Sequence, residues 1–329
     1  MHALSQAATG FPATQAAVAI GIPSKEQIQV AARKMVQETP PFVHLSKTDS
    51  APQLKIEDHL TVRGGMRGYR TARATHGVNS GDFYFECWIQ EGASVEEIKN
   101  QLPPNVRLAP KLKQRLESGS ATGGHTRVGW STRLGDLQAP VGYDRYSYGY
   151  RDIKGSRVHN SRRDDDWGSE PYGPGDIIGC CISSEMQQIH FFRNGEAMGT
   201  FILSRGKREG GAAFTDIPSG TYYPAVSVYL GASVRAHFGP HFVYPPRKLP
   251  HGMKPKPVSD LCEKPLTDIT ACLKQVPKKT DEALVKALEE ALQEEAEIRQ
   301  QAYAQHLEQQ TAAVKKEREA RNLSTNDLI

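Results

Sequence analysis

The sequence predicts an all-β protein, an antiparallel β-sandwich with a marginal N-terminal helix and C-terminal helical extensions. Three observations lead there. Between residues 51 and 238, short runs alternate apolar and polar side chains with period two, the pattern of strands that bury one face. Turn residues separate these runs and no helical pattern intervenes, which favours antiparallel pairing over parallel crossover units. The dipeptide Asn194–Gly195 stands between two such runs. Both central positions of a type I′ turn need positive φ, and Asn-Gly tolerates that best, so a hairpin is expected there.

Along the chain, residues 1–50 read as a mostly disordered tail with one short helix over Glu26–Val36. Ser24 is placed to cap it, Gln27 stands at the capping-box position, and Pro40–Pro41 stop it. From Ala51 the texture changes to the runs LKI, HLTVR and YRTARA. Phe83–Ile89 is apolar on both faces, as a central strand of a sandwich is. Further strands are expected at Arg127–Trp130, Tyr146–Tyr150, Ile177–Ile182, Ile189–Phe192, Ala197–Ile202, Tyr222–Tyr229 and Val234–Phe238. Trp130, and to a lesser degree Trp88, read as core, while Trp167 follows RRDDD in a polar loop.

Two long insertions break this rhythm. Gln90–Gly124 carries Lys99, Arg107, Lys111, Lys113 and Arg115, and Arg205–Ala213 reads as a flexible basic loop containing Arg205, Lys207 and Arg208. Loops of this length are uncommon unless they serve a function or are disordered. Contact with DNA phosphates through Lys111, Lys113, Arg115, Arg205, Lys207 and Arg208 is the functional reading, and a solvated loop the bland one. After a proline-rich exit over 240–257, Leu266, Ile269, Leu273 and Val276 fall three, four and three apart, one stripe of an amphipathic helix bounded by Pro265 and Pro277. The last pattern, Asp281 to about Arg321, is rich in Ala, Glu, Gln, Lys and Arg, with apolar residues too sparse for a heptad seam. The expected organisation is therefore a tail (1–50), the sandwich (51–249), a linker with a short docking helix (250–277) and a charged helix or tail (278–329).

Composition limits the function. Hydrophobic residues make up 38%, which suits one core with polar extensions, and a formal charge of +4 does not by itself call for nucleic acid. No apolar run is long enough to span a membrane, and the first residues lack the basic and apolar regions of a secretory leader. The five cysteines form no C-x-x-C pair and no histidine cluster accompanies them, so no metal is expected, and no cofactor. No nucleophile elbow, phosphate loop, zinc-protease helix or dinucleotide fingerprint occurs. A protein that works by binding, not catalysis, is expected.

The blocks APQLKIEDHLTV, GYRTARATHGVNSGDFYFECWI, RVGWSTRLGDLQAPVGYDRYSYGYRDIKGSRVH, GDIIGCCIS, IHFFRNGEAMGTF and YYPAVSVYLGASVRAHFGPHFVYPP carry a specific likeness. Over roughly residues 51–249 the chain resembles the SPRY (B30.2-like) domain of Ash-two proteins, subunits of COMPASS-type histone methyltransferase complexes. The resemblance implies a non-catalytic, nuclear scaffold whose SPRY domain binds an acidic segment of a WD-repeat subunit, the pair stimulating a SET-domain subunit that methylates histone H-three at lysine four. It places the binding residues at Tyr69, Arg127, Pro140, Tyr143 and Arg151. Arginine forks suit carboxylate or phosphate bidentately, and tyrosine gives rigid area with a polar tip. The bland alternative pairs Arg127 and Arg151 with Asp136, Asp144 or Asp152. The same resemblance implies that Leu266, Ile269, Leu273 and Val276 dock on a Dpy-thirty-like dimer, where the bland alternative packs that helix on its own domain. The rival function is an interaction adaptor in another complex, such as a ubiquitin ligase.

Overall fold

The computed structural model describes residues 25–101, 110, 113–114, 124–168, 170–202, 208–247, 249, 252–262 and 282–324. In chain order the elements are α1 (Lys25–Glu38), β1 (Leu45–Ser50), β2 (Lys55–Glu57), β3 (Thr61–Arg63), β4 (Arg70–Ala74), β5 (Asp82–Gln90) and α2 (Val95–Gln101). Then come β6 (His125–Ser131), β7 (Ser147–Arg151), β8 (Arg157–His159), β9 (Arg162–Asp164), β10 (Ile177–Ser183), β11 (Gln188–Arg193) and β12 (Glu196–Ala197). The chain continues through β13 (Thr200–Ile202), β14 (Arg208–Gly210), β15 (Tyr223–Tyr229), β16 (Ser233–His237), β17 (Lys256–Pro257) and α3 (Glu282–Ala320).

Two antiparallel sheets form the sandwich. One runs β1-β4-β15-β6-β7-β8-β9, the other β12-β11-β10-β5-β16-β3-β2, with β17 added in parallel to β5. Residues of β5 and β10 are buried on both faces, which is why their sequence is largely apolar, with Glu86 the buried exception in β5. The core lies between the sheets. Phe85 of β5 meets Trp130 of β6 edge to face at 5.1 Å, and Tyr150 of β7 stacks on Phe191 of β11 at 5.4 Å. Trp167 packs against Tyr150 and Phe191 as well, which sequence left unassigned.

The Asn-Gly turn forms as its chemistry demands. Arg193 pairs with Glu196, and Asn194 and Gly195 take φ of 50° and 84°. Asn194 does more than turn: its side-chain oxygen accepts from the Ile177 amide and its nitrogen donates to Asp176.

Several expected boundaries shift. The sandwich begins before residue 51, because Leu45–Ser50 is a strand on β4, and Leu45 is fully buried. The short run LSKTDS lacks period-two alternation, so sequence hid it. The insertion after Gln90 is not all loop. Ser94 and Glu97 form a reciprocal capping box, Glu97 N donating to Ser94 Oγ at 3.1 Å and Ser94 N to Glu97 Oε2 at 2.7 Å, and α2 follows. Arg208 opens β14, which pairs with β13, so the basic loop is part strand. The expected run Ala197–Ile202 splits into β12 and β13 around Gly199, whose φ is 71°.

The C-terminal charged segment is not a solvated tail. Residues 310–324 belong to the same compact unit as 43–261. Val314 is fully buried with Ile177 and Val243, and Leu323 and Tyr244 pack against them. Gln310 Oε1 lies 3.0 Å from His237 Nδ1. Arg318, almost wholly buried, donates to the carbonyls of Val243 and Ser324. Below this contact Glu86 is fully buried and accepts from Trp88 Nε1, Val243 N and Tyr244 N at 3.0, 3.2 and 2.7 Å. Burial pushes the Glu86 carboxyl up to about 7 even against those three donors. Burial pulls His237, its direct cross-strand neighbour, down to about 4.

A second compact unit comprises residues 1–42 and 262–309. Its described part pairs α1 with the first turns of α3. Ala32, Leu288, Ala291 and Leu292 are buried, Gln29 Nε2 donates to Glu294 at 2.6 Å, and the Phe42 and His306 rings stack at 3.5 Å. Leu266, Ile269, Leu273 and Val276 lie outside the described residues.

Candidate functional site

The outer face of the β1–β9 sheet carries the site. Directly opposed residues on adjacent strands share a face, and one row reads Thr71, Ser227, Arg127, Arg151 across β4, β15, β6 and β7. Val128 and Trp130, which alternate with Arg127, point into the core. Arg127 and Arg151 therefore stand side by side on the outside of one strand pair.

The β6–β7 connection folds back over this face. Val141 N donates to Ser227 Oγ at 2.7 Å, Thr71 Oγ1 donates to Ala139 O at 2.6 Å, and Gly142 N donates to Ser147 Oγ at 2.8 Å. Gly149 lets the connection approach: a Cβ there would lie 2.7 Å from Val141 O. Pro140 and Tyr143 are the ends of one tight turn, closed by Tyr143 N to Pro140 O at 2.9 Å, with Gly142 at φ 85°. The Tyr143 side chain is 53% exposed, an uncommon setting for a large ring.

Tyr69 completes the group. The Arg127 guanidinium carbon sits 5.2 Å from the centroid of the Tyr69 ring, and Tyr69 packs on Tyr229 at 5.4 Å. Burial, with Asp152 second, pushes the Tyr69 hydroxyl up to about 12. Burial pulls Arg127 below its ordinary value, and the neighbouring Arg151 charge adds to that. Sequence reasoning thus brought Tyr69, Arg127 and Arg151 to one place, with the Pro140–Tyr143 turn beside them through Val141 O, which accepts from Arg127 at a long 3.4 Å.

The pairings that would have made these arginines structural do not form. Asp152 binds His125 Nδ1 at 2.8 Å, Asp144 accepts from Asp136 N, Tyr146 N and Ser147 Oγ, and Asp136 accepts from Gln138 N. Among the described residues neither Arg127 nor Arg151 joins an ion pair, and the buried Nε of each lacks a partner. Two residues escaped the sequence reading, Tyr229 and His125. Both lie two positions from row members on β15 and β6, and the period-two rule applied to YPAVSVY and HTRVG would have found them.

Of the basic positions, Lys113 is exposed and Arg208 begins β14, while Lys111, Arg115, Arg205 and Lys207 lie outside the described residues. Among the described residues no cluster of three His, Cys, Asp or Glu is arranged to hold a metal.

Residues 115–241 match the SPRY domain family. A Drosophila melanogaster protein, the Set1/Ash2 histone methyltransferase complex subunit ASH2, is 32% identical over 261 residues, covering 70% of this chain and 41% of the fly protein. This chain carries a SPRY domain of the Ash2 type. The Set1 complex component ash2 of Schizosaccharomyces pombe is 27% identical over 300 residues, covering 71% of the chain and 41% of that protein. The SPRY domain also has a likeness to the E3 ubiquitin-protein ligase RKP of Arabidopsis thaliana, 34% identical over 146 residues, but this covers only 41% of the chain. The chain spans about two fifths of the length of the Ash2 relatives, and the likeness to them reaches well beyond the SPRY match itself.

Proposed function

We propose that the chain is a non-catalytic, nuclear subunit of a Set1/Ash2-type (COMPASS) histone methyltransferase complex, and that it works by binding an acidic segment of the WD-repeat subunit. The observation that carries this reading is the side-by-side Arg127 and Arg151 on one strand pair, partly desolvated and without a carboxylate of their own among the described residues. A buried or half-buried cation lacking a partner is costly in a free protein. It becomes useful when a carboxylate arrives, because the fork geometry then makes charge-assisted, bidentate bonds. Tyr69 holds one guanidinium in position, and Tyr143 offers exposed ring area to the same ligand.

The heterodimer so formed supports the SET-domain subunit. Leu266, Ile269, Leu273 and Val276 supply helix-in-groove anchors for a Dpy-thirty-like dimer. The basic loops around Lys113 and Arg208 offer a further, salt-dependent contact to nucleosomal DNA. The ubiquitin-ligase adaptor reading is not favoured, since the RKP likeness stops short of the regions that the Ash2 relatives share with this chain.

The test is calorimetric titration of the full chain with the acidic segment of the WD-repeat subunit, alongside Arg127→Ala and Arg151→Ala. Saturable binding that either variant abolishes supports the reading. Equal affinity in all three proteins overturns it.

A further inference from the structure

A second site lies on the other side of the same strands. Thr126 and Asp152 immediately precede and follow the arginine pair on β6 and β7, Asp152 N donating to Thr126 O at 3.3 Å. Alternation carries Arg127 and Arg151 outward and turns Thr126 toward the interior. There Thr126 and Asp152 line a cleft of about 270 Å³, walled by Tyr172, Pro174 and the backbone of the segment from Ile89 to Val95. A water occupies roughly 30 Å³ in the liquid, so the cleft holds more than one bridging solvent molecule.

Its chemistry is one-sided. Thr126 is 3% exposed and Asp152 8% exposed, and Thr126 Oγ1 and Asp152 Oδ1 are both buried without a hydrogen-bond partner. Several donors around them are already committed. Tyr172 OH donates to the carbonyls of Tyr150 and Thr126, Ala93 N to Gly231 O, Ser94 N to Glu97, Ile89 N to Asp176 O and Gly173 N to Asp176 Oδ2. Glu91 adds a second, exposed carboxylate at the wall, and no Lys, Arg or His lines the cleft. A buried carboxylate oxygen beside a buried hydroxyl, both unpartnered, suits a ligand that brings N–H donors and positive charge. An ammonium offers three N–H donors on a compact charge, and a four-carbon stem suits the apolar parts of Tyr172, Pro174 and Val95.

We propose that the cleft bounded by Thr126, Asp152 and Tyr172 binds the ammonium group of a lysine side chain presented by a partner polypeptide. This site adjoins the Arg127–Arg151 face, since Asp152 also acts on Tyr69 and Arg127, but it differs from that face in the charge of the ligand it calls for. A small free amine has the same binding chemistry, so the test includes both.

The ¹⁵N-labelled full chain is titrated at constant ionic strength with n-butylammonium chloride, with Nα-acetyl-lysine amide and with 1-butanol, following the amides of Thr126, Asp152, Gly173 and Ala232. Both ammonium compounds are expected to give saturable shifts, with 1-butanol weaker by about tenfold or more, a difference of roughly 1.4 kcal/mol. Thr126→Val and Asp152→Asn should each weaken the ammonium response. Thr126→Val keeps the Asp152–His125 pair, so it serves even where Asp152→Asn fails to fold. An equal response to 1-butanol, no saturable shift, or an unchanged Thr126→Val overturns the site. Saturation by n-butylammonium without a response to the lysine amide overturns the assignment to lysine.

Discussion

Arg73 and Arg127 stand on the same outer face of the same sheet, one row apart, and have opposite fates. Arg73 lies in the row with Ala225 and Gly129, Arg127 in the row with Ser227. The β6–β7 connection covers Arg73 with its carbonyls: Arg73 Nη1 donates to Thr132 O and Gly135 O at 3.0 and 2.9 Å, and Nη2 to Arg133 O at 3.2 Å. Asp49 of β1 takes the other edge bidentately at 3.0 and 2.7 Å. Arg127 donates a single long bond to that same connection and lies over an aromatic ring, with no carboxylate in ion-pair contact among the described residues. Two identical side chains on one surface therefore differ in how many acceptors reach them. The satisfied one is a structural post, and the unsatisfied one is left with capacity for a ligand.

The largest test of this contrast is on the satisfied side. Arg73→Met strips the bidentate partner from Asp49 and removes the arginine donor from the Gly135 and Arg133 carbonyls, in a site where the arginine side chain is 3% exposed. Breaking a buried pair from one side should lower unfolding stability by about 3–5 kcal/mol, read as a shift in urea midpoint. Arg127→Ala should do the reverse. Affinity for the acidic segment falls by about 2–5 kcal/mol where its carboxylate is desolvated. Unfolding stability should move by no more than about 0.5 kcal/mol, since no ion pair is lost. If Arg127→Ala unfolds the domain, or Arg73→Met weakens only binding, the contrast is broken.

Glu86 sharpens it from the acidic side, because it is a satisfied charge whose proton is held by the fold. Its folded value of about 7 lies above the 4.5 of an ordinary glutamate. The folded state therefore keeps a proton that the unfolded chain releases, and this stabilisation is full below pH 4.5 and lost as pH rises through 7. Glu86→Gln cannot accept from all three N–H groups, so it should cost about 1–3 kcal/mol. Its stability should also decline less than the parent's between pH 5 and 7 in denaturant titrations. A parallel pH dependence in the two proteins would contradict the buried proton. The smallest effect is expected at Tyr69→Leu, which keeps bulk but removes the ring face under Arg127. Affinity for the acidic segment should drop by about 0.5–1 kcal/mol with no change in melting temperature.

Sequence carried the sandwich well where chemistry is local. Asn194–Gly195 gave its turn, and the two-face apolar run at Phe83–Ile89 gave the central strand, because both depend on their own residues. Leu45–Ser50 was missed, and so was the packing of the end of α3 on the sandwich, because distant partners make both. Ser46 and Ser50 look like loop residues until Arg73 binds the Asp49 between them, and Val314 looks like one apolar residue in a charged helix until Ile177 and Val243 surround it. At the site, Arg127 and Arg151 were named by the resemblance to Ash-two domains, not by their own local pattern. Their opposition came from register, and the emptiness around both came from where Asp136, Asp144 and Asp152 turn, which depends on the fold of a loop. Ser94–Glu97, like Tyr229 and His125, is a miss that local reading should have caught, since the capping-box spacing was present in GASVEEIKN.

The way α3 ends on the sandwich bears on how the chain is made. Strand β5 is synthesised early, yet its neighbours in the sheet are β10 and β16, and the Ile177–Val243 surface nearby is closed by Val314. A ribosome working from the amino end must release the chain past Val314 before that surface is covered. Until then the nascent domain exposes apolar area that a chaperone can hold, so a stop codon before residue 310 would leave a sticky product and not merely a shorter one.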